Sequence, residues 1–358
     1  VRDVVELEST FVKSAVIEPR EGEDGKRIGY IRLPKFYVDF YQKSNRNCAE
    51  DMERELEKLK AEGVEGVILD LRGNGGGSLE AVVDIVGLFI PEGPVVQVRT
   101  SNNRMRTLED EDNDVVYDGP LVVMVNEFSA SASEIFAAAI QDYGRGIVVG
   151  SNATFGKGTV QNVYNLDRAT RQSSVKPLGA LKLTIQKYYR INGGTTQLKG
   201  VIPDLILPDS YMHIDYGEKQ QRHPMAYDEI DPADYDEADE WEDEYEKATK
   251  EIAKLIKDEA VFDSINIHAE YMKEQQDASL IPLQLEAYRE REHVKEEKAK
   301  QFRKLYRLDE SLRFPVHFVK GDKEAMTDDE SIKEREKWHE RLGKDFYLYW
   351  AVELMDEV

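Results

Sequence analysis

The run Val64-Glu65-Gly66-Val67-Ile68-Leu69-Asp70-Leu71-Arg72-Gly73-Asn74-Gly75-Gly76-Gly77 decides the fold class. Its first eight residues are apolar and β-branched enough to form a strand, and the last six are a glycine-rich turn. Leu79, Val82, Val83, Val86 and Leu88 then recur at helical spacing, so a helix follows the turn directly. A second unit of the same kind lies downstream: a strand over 121–125, a small-residue turn at 129–133, and a helix over 133–143. Another strand over 147–149 comes next. Repeated strand–turn–helix units predict an α/β fold, a parallel sheet covered by helices.

Upstream, residues 30–33 read as a strand leading into residues 36–40. Asn47 offers an N-cap to a helix carrying Met52, Leu56 and Leu59, which Gly63 stops. Val1-Arg2-Asp3-Val4 is also strand-like, and residues 181–191 alternate as an exposed strand does. After Pro208 the character changes. Stretches 245–260, 283–308 and 331–357 favour helix, and residues 314–319 are the one strand-like interruption. The expected division is an α/β unit over 1–210 and, over 211–358, an acidic linker with a separate, mostly α-helical domain.

Composition narrows the function classes. The formal net charge is −23, which argues against nucleic acid as a partner. No apolar run approaches the roughly 18–20 residues of a membrane span, so no membrane insertion is expected. Cys48 is the single cysteine and excludes an internal disulfide. Between Asp228 and Glu246 stand twelve acidic residues and no Lys or Arg, read either as a docking surface or as a solvated linker. No signal peptide is present, so an export segment has been removed or none is used.

All six histidines lie beyond Met212. A Ser-His-Asp or Cys-His site inside the α/β half is therefore excluded, and no His or Cys pair has zinc-ligand spacing. A base there must be a carboxylate, a tyrosine or a lysine. The two strand-to-helix corners fall on the carboxyl edge of a parallel sheet, where ligands bind and where helix N-termini present unpartnered N–H groups. Ser131 sits on the second corner. Ser131-Ala132-Ser133-Glu134 also fits the S-x-x-E capping box, so Ser131 reads either as a cap or as a nucleophile. Lys157, between Gly156 and Gly158, reads either as a surface lysine on a hairpin or as a buried base. An ordinary lysine is neutral in only about one molecule per 2,500 at pH 7, whereas desolvation to a pKa of about 7.5 leaves about a quarter neutral. Residues 150–159 imitate a phosphate-binding P-loop. They have five residues before Gly156, Gly158 in place of Ser/Thr, and a strand rather than a helix behind them, so that reading fails.

Several blocks resemble the tail-specific, or C-terminal processing, serine protease family. They are residues 70–77, 129–139, 141–145, 155–161, 183–194 and 197–204, in the family's order. The C-terminal half is similar to the helical extension of its longer, periplasmic members. The resemblance implies a ClpP/crotonase-like core with a Ser–Lys dyad. The nucleophile falls on Ser131, the general base on Lys157, a lysine-orienting glutamine on Gln161 and a supporting aspartate on Asp142. The oxyanion hole falls on the amide of Ala132 and on one of Gly75–Gly77, assigned to Gly76. It implies no cofactor and no metal, protein or peptide substrates with accessible C-termini, an adaptor protein as a further partner, and a periplasmic setting. The family's PDZ domain has no counterpart in these residues, so the chain is expected to be a fragment. Two rivals stay open: an idle peptide-binding or scaffold module with the same fold, and a crotonase-like acyl-CoA enzyme. The second has no use for a paired serine and lysine.

Overall fold

Strands in the middle of a parallel sheet are covered on both faces and therefore read as unbroken apolar runs. The segments Gly66–Asp70 and Leu121–Val125 are of this kind, and every residue in both is buried. The computed structural model describes residues 11–39, 46–169, 176–237, 240–326 and 328–358. The strand-like Val1-Arg2-Asp3-Val4 and the end of 36–40 lie outside the described residues.

In chain order the strands are β1 (Lys13–Ile17), β2 (Ile28–Arg32), β3 (Gly66–Asp70), β4 (Gly93–Thr100), β5 (Met105–Asp110), β6 (Leu121–Val125), β7 (Ile147–Gly150), β8 (Thr159–Asn165), β9 (Ala180–Tyr189), β10 (Leu205–Ile206) and β11 (Val316–His317). The helices are α1 (Cys48–Ala61), α2 (Leu79–Gly87), α3 (Ala132–Asp142), α4 (Glu242–Asp258), α5 (Ala260–Asp277), α6 (Leu285–Phe302), α7 (Asp322–Ala325), α8 (Asp329–Leu342) and α9 (Phe346–Glu357). A seven-stranded sheet has the order β10-β7-β6-β3-β2-β1-β11, and a four-stranded sheet the order β5-β4-β9-β8. From β10 to β2 the large sheet is parallel, and β1 and β11 extend it antiparallel. The small sheet is antiparallel throughout.

Side chains alternate across each strand, and the two faces build two cores. Val67, Leu69, Leu121 and Val123 point to the face covered by α1, α2 and α3. Ile68, Val122 and Met124 point to the other face, where they meet Ile252 of α4 and Leu348, Leu354 and Met355 of α9. Each aliphatic side chain so buried contributes roughly 1.5–3 kcal/mol. At Gly66 the helix comes so close that an added Cβ would stand 2.3 Å from the Met355 sulfur.

The expected mostly helical C-terminal unit is present, and it packs directly on the sheet rather than apart from it. The C-terminal half forms the second covering layer of the α/β sheet and gives it the edge strand β11. Parallel strands need both faces covered, and the intervening helices cover only one. The stretch 331–357 is two helices rather than one, broken at Gly343 and restarted by Asp345, whose carboxylate caps the amides of Tyr347 and Leu348. The described part of the acidic stretch begins as a strap on the core. Asp228 pairs with Arg99 and Lys187, Ile230 N–H donates to Gly193 O at 2.9 Å, and Ala233 N–H to Ile191 O at 2.7 Å.

Candidate active site

Because β3 and β6 are parallel neighbours, with Asp70 opposite Met124, their carboxyl-end turns lie side by side. Asn74, fully buried, joins them. Its carbonyl accepts from the Ala130 amide at 3.0 Å and from Ser133 Oγ at 2.8 Å, while its Nδ2 donates to Leu33 O at 2.8 Å. At the root of the first turn, burial alone would raise the Asp70 carboxyl. Arg72 and Arg32 hold it well below the usual carboxylate range, and Arg72 also pairs with Asp345 of the C-terminal layer.

Ser131 ends the second turn at φ 59°, ψ −112°, a region that costs a non-glycine residue roughly 1–3 kcal/mol and persists only when the surroundings enforce it. The enforcing group is Glu134. Its carboxylate accepts from the Ser131 amide at 2.7 Å, the Thr154 hydroxyl at 2.7 Å, the Gly156 amide at 2.7 Å and the Lys157 amide at 3.0 Å. Ser131 and Glu134 thus stand in capping-box relation, with the glutamate half closed, but the serine hydroxyl makes no cap hydrogen bond. One buried carboxylate ties the serine turn to the lysine loop.

That loop crosses from β7 to β8 over the start of α3 and brings Lys157 Nζ to 3.4 Å from Ser131 Oγ. This is longer than the usual range of about 2.7–3.2 Å, as catalytic pairs often are before substrate binds. Lys157 Nζ also donates to Thr159 O at 2.8 Å. The fully buried Tyr188 hydroxyl bridges the main-chain carbonyls of Lys157 and Ser131, and Thr196 Oγ1 donates to the same Lys157 carbonyl at 3.1 Å. Burial lowers the Lys157 pKa, with Glu134 pulling the other way and Lys182 reinforcing the drop. Burial raises the Glu134 carboxyl to about 7. Cys48 is sealed in the core, its thiol pushed up to about 12, and offers no nucleophile.

Ser131, Ala132, Lys157, Gln161, Gly75 and Gly77 line one cleft of about 170 Å³. The amides of Gly75, Gly77 and Ala132 donate to no acceptor among the described residues. The Gly76 amide donates to Asn74 Oδ1 at 2.9 Å and is engaged. Gly76, expected as an oxyanion donor, contributes space instead. At its φ of +94° an added Cβ would meet Ala130 O at 2.7 Å, Ser131 Cβ at 2.8 Å and Ala132 N at 3.0 Å.

A sequence profile described as Peptidase family S41 matches residues 27–207, half of the chain. The chain belongs to peptidase family S41. A second profile, the C-terminal domain of tail specific protease, matches residues 211–358. The Haemophilus influenzae tail-specific protease is 46% identical over 241 residues, 66% of this chain and 32% of that protein. A Synechocystis carboxyl-terminal-processing protease is 34% identical over 189 residues, 52% of this chain and 39% of that one. The chain therefore spans about a third of the length of these curated relatives. Among solved structures, a photosystem II D1 C-terminal processing protease is similar at 28% identity and TM-score 0.45, over 55% of this chain and 48% of that chain.

Two further residues carried over by resemblance make no hydrogen bond to Ser131 or Lys157, although Gln161 shares their cleft. The resemblance placed a lysine-orienting glutamine on Gln161. Lys157 precedes β8, and the β8–β9 pairing shifts register between Val160 and Gln161. The Gln161 amide faces Thr184 Oγ1 at 3.5 Å, and Thr159 O holds the lysine. Asp142 lies at the far end of α3, eleven residues and roughly 16 Å along the axis from Ser131. Its carboxylate accepts from Arg190 Nη2 at 2.6 Å and Asn192 Nδ2 at 2.7 Å, a tie between α3 and the end of β9. Asp142→Ala should cost about 3 kcal/mol, as breaking one side of a buried ion pair does. The kcat of the folded fraction should stay unchanged, with urea unfolding and turnover measured on the same sample.

Glu134, Tyr188 and Thr196 were not singled out as site residues by sequence. Glu134 gave a signal, the S-x-x-E spacing, but that spacing is also an ordinary cap. Its raised pKa has a checkable sign. The ionised form is disfavoured in the folded chain, so the stability from this group is full below the ordinary value of 4.5 and is lost as pH rises through about 7. The unfolding free energy of wild type relative to Glu134→Gln should fall by about 2–3 kcal/mol between pH 5 and 8. Urea titrations at the two pH values measure it, and a flat difference would refute the raised pKa.

Proposed function

We propose that this S41 chain carries the catalytic centre of a serine endopeptidase that processes or degrades proteins presented by their C-terminal tails. The approach of Lys157 Nζ to Ser131 Oγ in a cleft that no histidine lines is the observation that carries this reading. Neutral Lys157 takes the Ser131 proton as Oγ attacks the scissile carbonyl. The resulting oxyanion is met by the free amide of Ala132, at the start of α3, and by Gly75 or Gly77 across the cleft. Lysine returns the proton to the leaving amine, and the acyl-enzyme forms. Water then attacks the ester with the same amine as base, releasing the acid and restoring the serine. The chemistry calls on no metal or cofactor.

Substrate is expected to lie extended against β8, the edge strand of the small sheet, which starts two residues after Lys157. Pairing through main-chain groups makes cleavage tolerant of sequence. A periplasmic setting and recognition of free C-termini are expected by resemblance to tail-specific proteases, with an adaptor as one candidate contact of the helical half. No helix among the described residues is long and apolar enough to cross a membrane. The test is incubation with an unfolded protein bearing either a free or an amidated C-terminus, with fragments identified by mass spectrometry. Release of peptides from the free form above the amidated form supports the reading. Equal release by the same chain after Ser131 has been covalently blocked would overturn it.

A further inference from the structure

Behind the catalytic turns, beneath the C-terminal helices, lies a second cavity of about 550 Å³. It opens at the carboxyl ends of β3, β6, β7 and β10, the edge at which open α/β sheets bind ligands. The three segments that build the catalytic cleft run through its wall first: 72–73 before 75–77, 126–128 before 131, and 150–151 before 157.

The wall combines aromatic rings with two unneutralised carboxylates. Phe128 and Tyr211 meet edge to face at 5.4 Å, and Tyr306 and Tyr347 stand 6.1 Å apart. Asp209 is only 9% exposed; Oδ1 accepts from the Tyr211 amide at 2.7 Å, and Oδ2 meets no donor among the described residues. Glu127 Oε2 accepts from Ser151 Oγ at 2.8 Å. Burial, then the charge of Asp209, pushes the Glu127 carboxyl up. Other carboxylates of this wall are spoken for: Asp70 by Arg32 and Arg72, Asp345 by Arg72. Arg341, exposed at the rim, makes no ion pair among the described residues.

We propose that this cavity binds an organic cation, an alkylammonium or guanidinium group, between Glu127 and Asp209 and against the faces of Phe128, Tyr211, Tyr306 and Tyr347. Carboxylates supply the charge-assisted acceptors, and the rings attract a cation through their quadrupoles. A bare divalent ion is the poorer fit, because calcium takes about six to eight oxygen ligands. The described residues hold no group of three His, Cys, Asp or Glu placed for a metal. The volume falls within the roughly 300–1,000 Å³ of small-molecule sites. A lysine or arginine side chain of a polypeptide and a free amine share this chemistry.

Isothermal titration with agmatine, and separately with the blocked peptide acetyl-Ala-Arg-Ala-amide, tests the site without any activity readout. It therefore succeeds or fails independently of the peptidase reading. At least one of the two cations should bind the chain one to one. Binding should weaken about tenfold or more in Glu127→Gln and in Asp209→Asn, the loss of one contact to a charged group. Asp209→Asn keeps the Oδ1 acceptor for Tyr211, and circular dichroism checks both folds. Agmatine alone points to a free amine and peptide binding to a polypeptide side chain, and either supports the site. No binding of either probe at millimolar concentration, or equal binding to wild type and both folded variants, overturns it.

Discussion

Ser131→Ala should lower kcat/KM on an unfolded substrate by about four to six orders of magnitude, and Lys157→Ala should fall to the same floor. The nucleophile and its base act as one unit, so the double variant should be no worse than either single one. Folding should survive both changes. Ser131 makes no cap hydrogen bond through its hydroxyl, and its unusual backbone is held by its own amide on Glu134. Lys157→Arg should be as inactive as alanine, because a guanidinium does not deprotonate at usable pH. In the wild type kcat/KM should rise with pH and level off above the lowered Lys157 pKa, since only the neutral amine accepts the serine proton. Turnover within about tenfold of wild type in either alanine variant would end the dyad assignment.

Gly76→Ala should cost about two to three orders of magnitude in kcat, comparable to losing one oxyanion donor. The new methyl would stand 3.0 Å from Ala132 N, in the space in front of the amide at the start of α3. It would also press on Ser131 Cβ at 2.8 Å and force an L-residue to φ +94°. KM should change less than kcat, because the developing oxyanion needs that space more than the ground-state carbonyl does. Gly63→Ala is the control, a glycine at φ +73° outside the cleft with nothing within 4 Å of a Cβ. Equal kcat in the two variants would show that Gly76 does not shape the oxyanion site.

The corners that hold this site were legible in sequence because strand, glycine turn and helix follow one another locally within about twenty residues. The absence of histidine before Met212 made a lysine base the natural test, and the family blocks placed Ser131 and Lys157 on those corners. The residues that hold the pair together were not legible in the same way. Glu134 serves four donors from two segments, and its S-x-x-E spacing cannot be told from a cap until the loop carrying Thr154, Gly156 and Lys157 is folded over it. Tyr188 reached the site only through strand pairing across the small sheet. The resemblance placed Gln161 in the cleft of Ser131 and Lys157, but a register shift between Val160 and Gln161 turns its amide to Thr184.

By itself the sequence determined the α/β class, the two glycine- and serine-bearing turns, and the absence of histidine before Met212, because all three rest on residue type and short-range spacing. Tertiary structure alone decided that the C-terminal half is the second layer of the same sheet, and that Asp142 pairs with Arg190 and Asn192, away from Ser131 and Lys157. Those outcomes depend on which faces must be buried and which N–H groups find acceptors. The contacts that settle them join residues tens to hundreds of positions apart, as Arg190 with Asp142 and Arg72 with Asp345 show, and no local pattern along the chain records them.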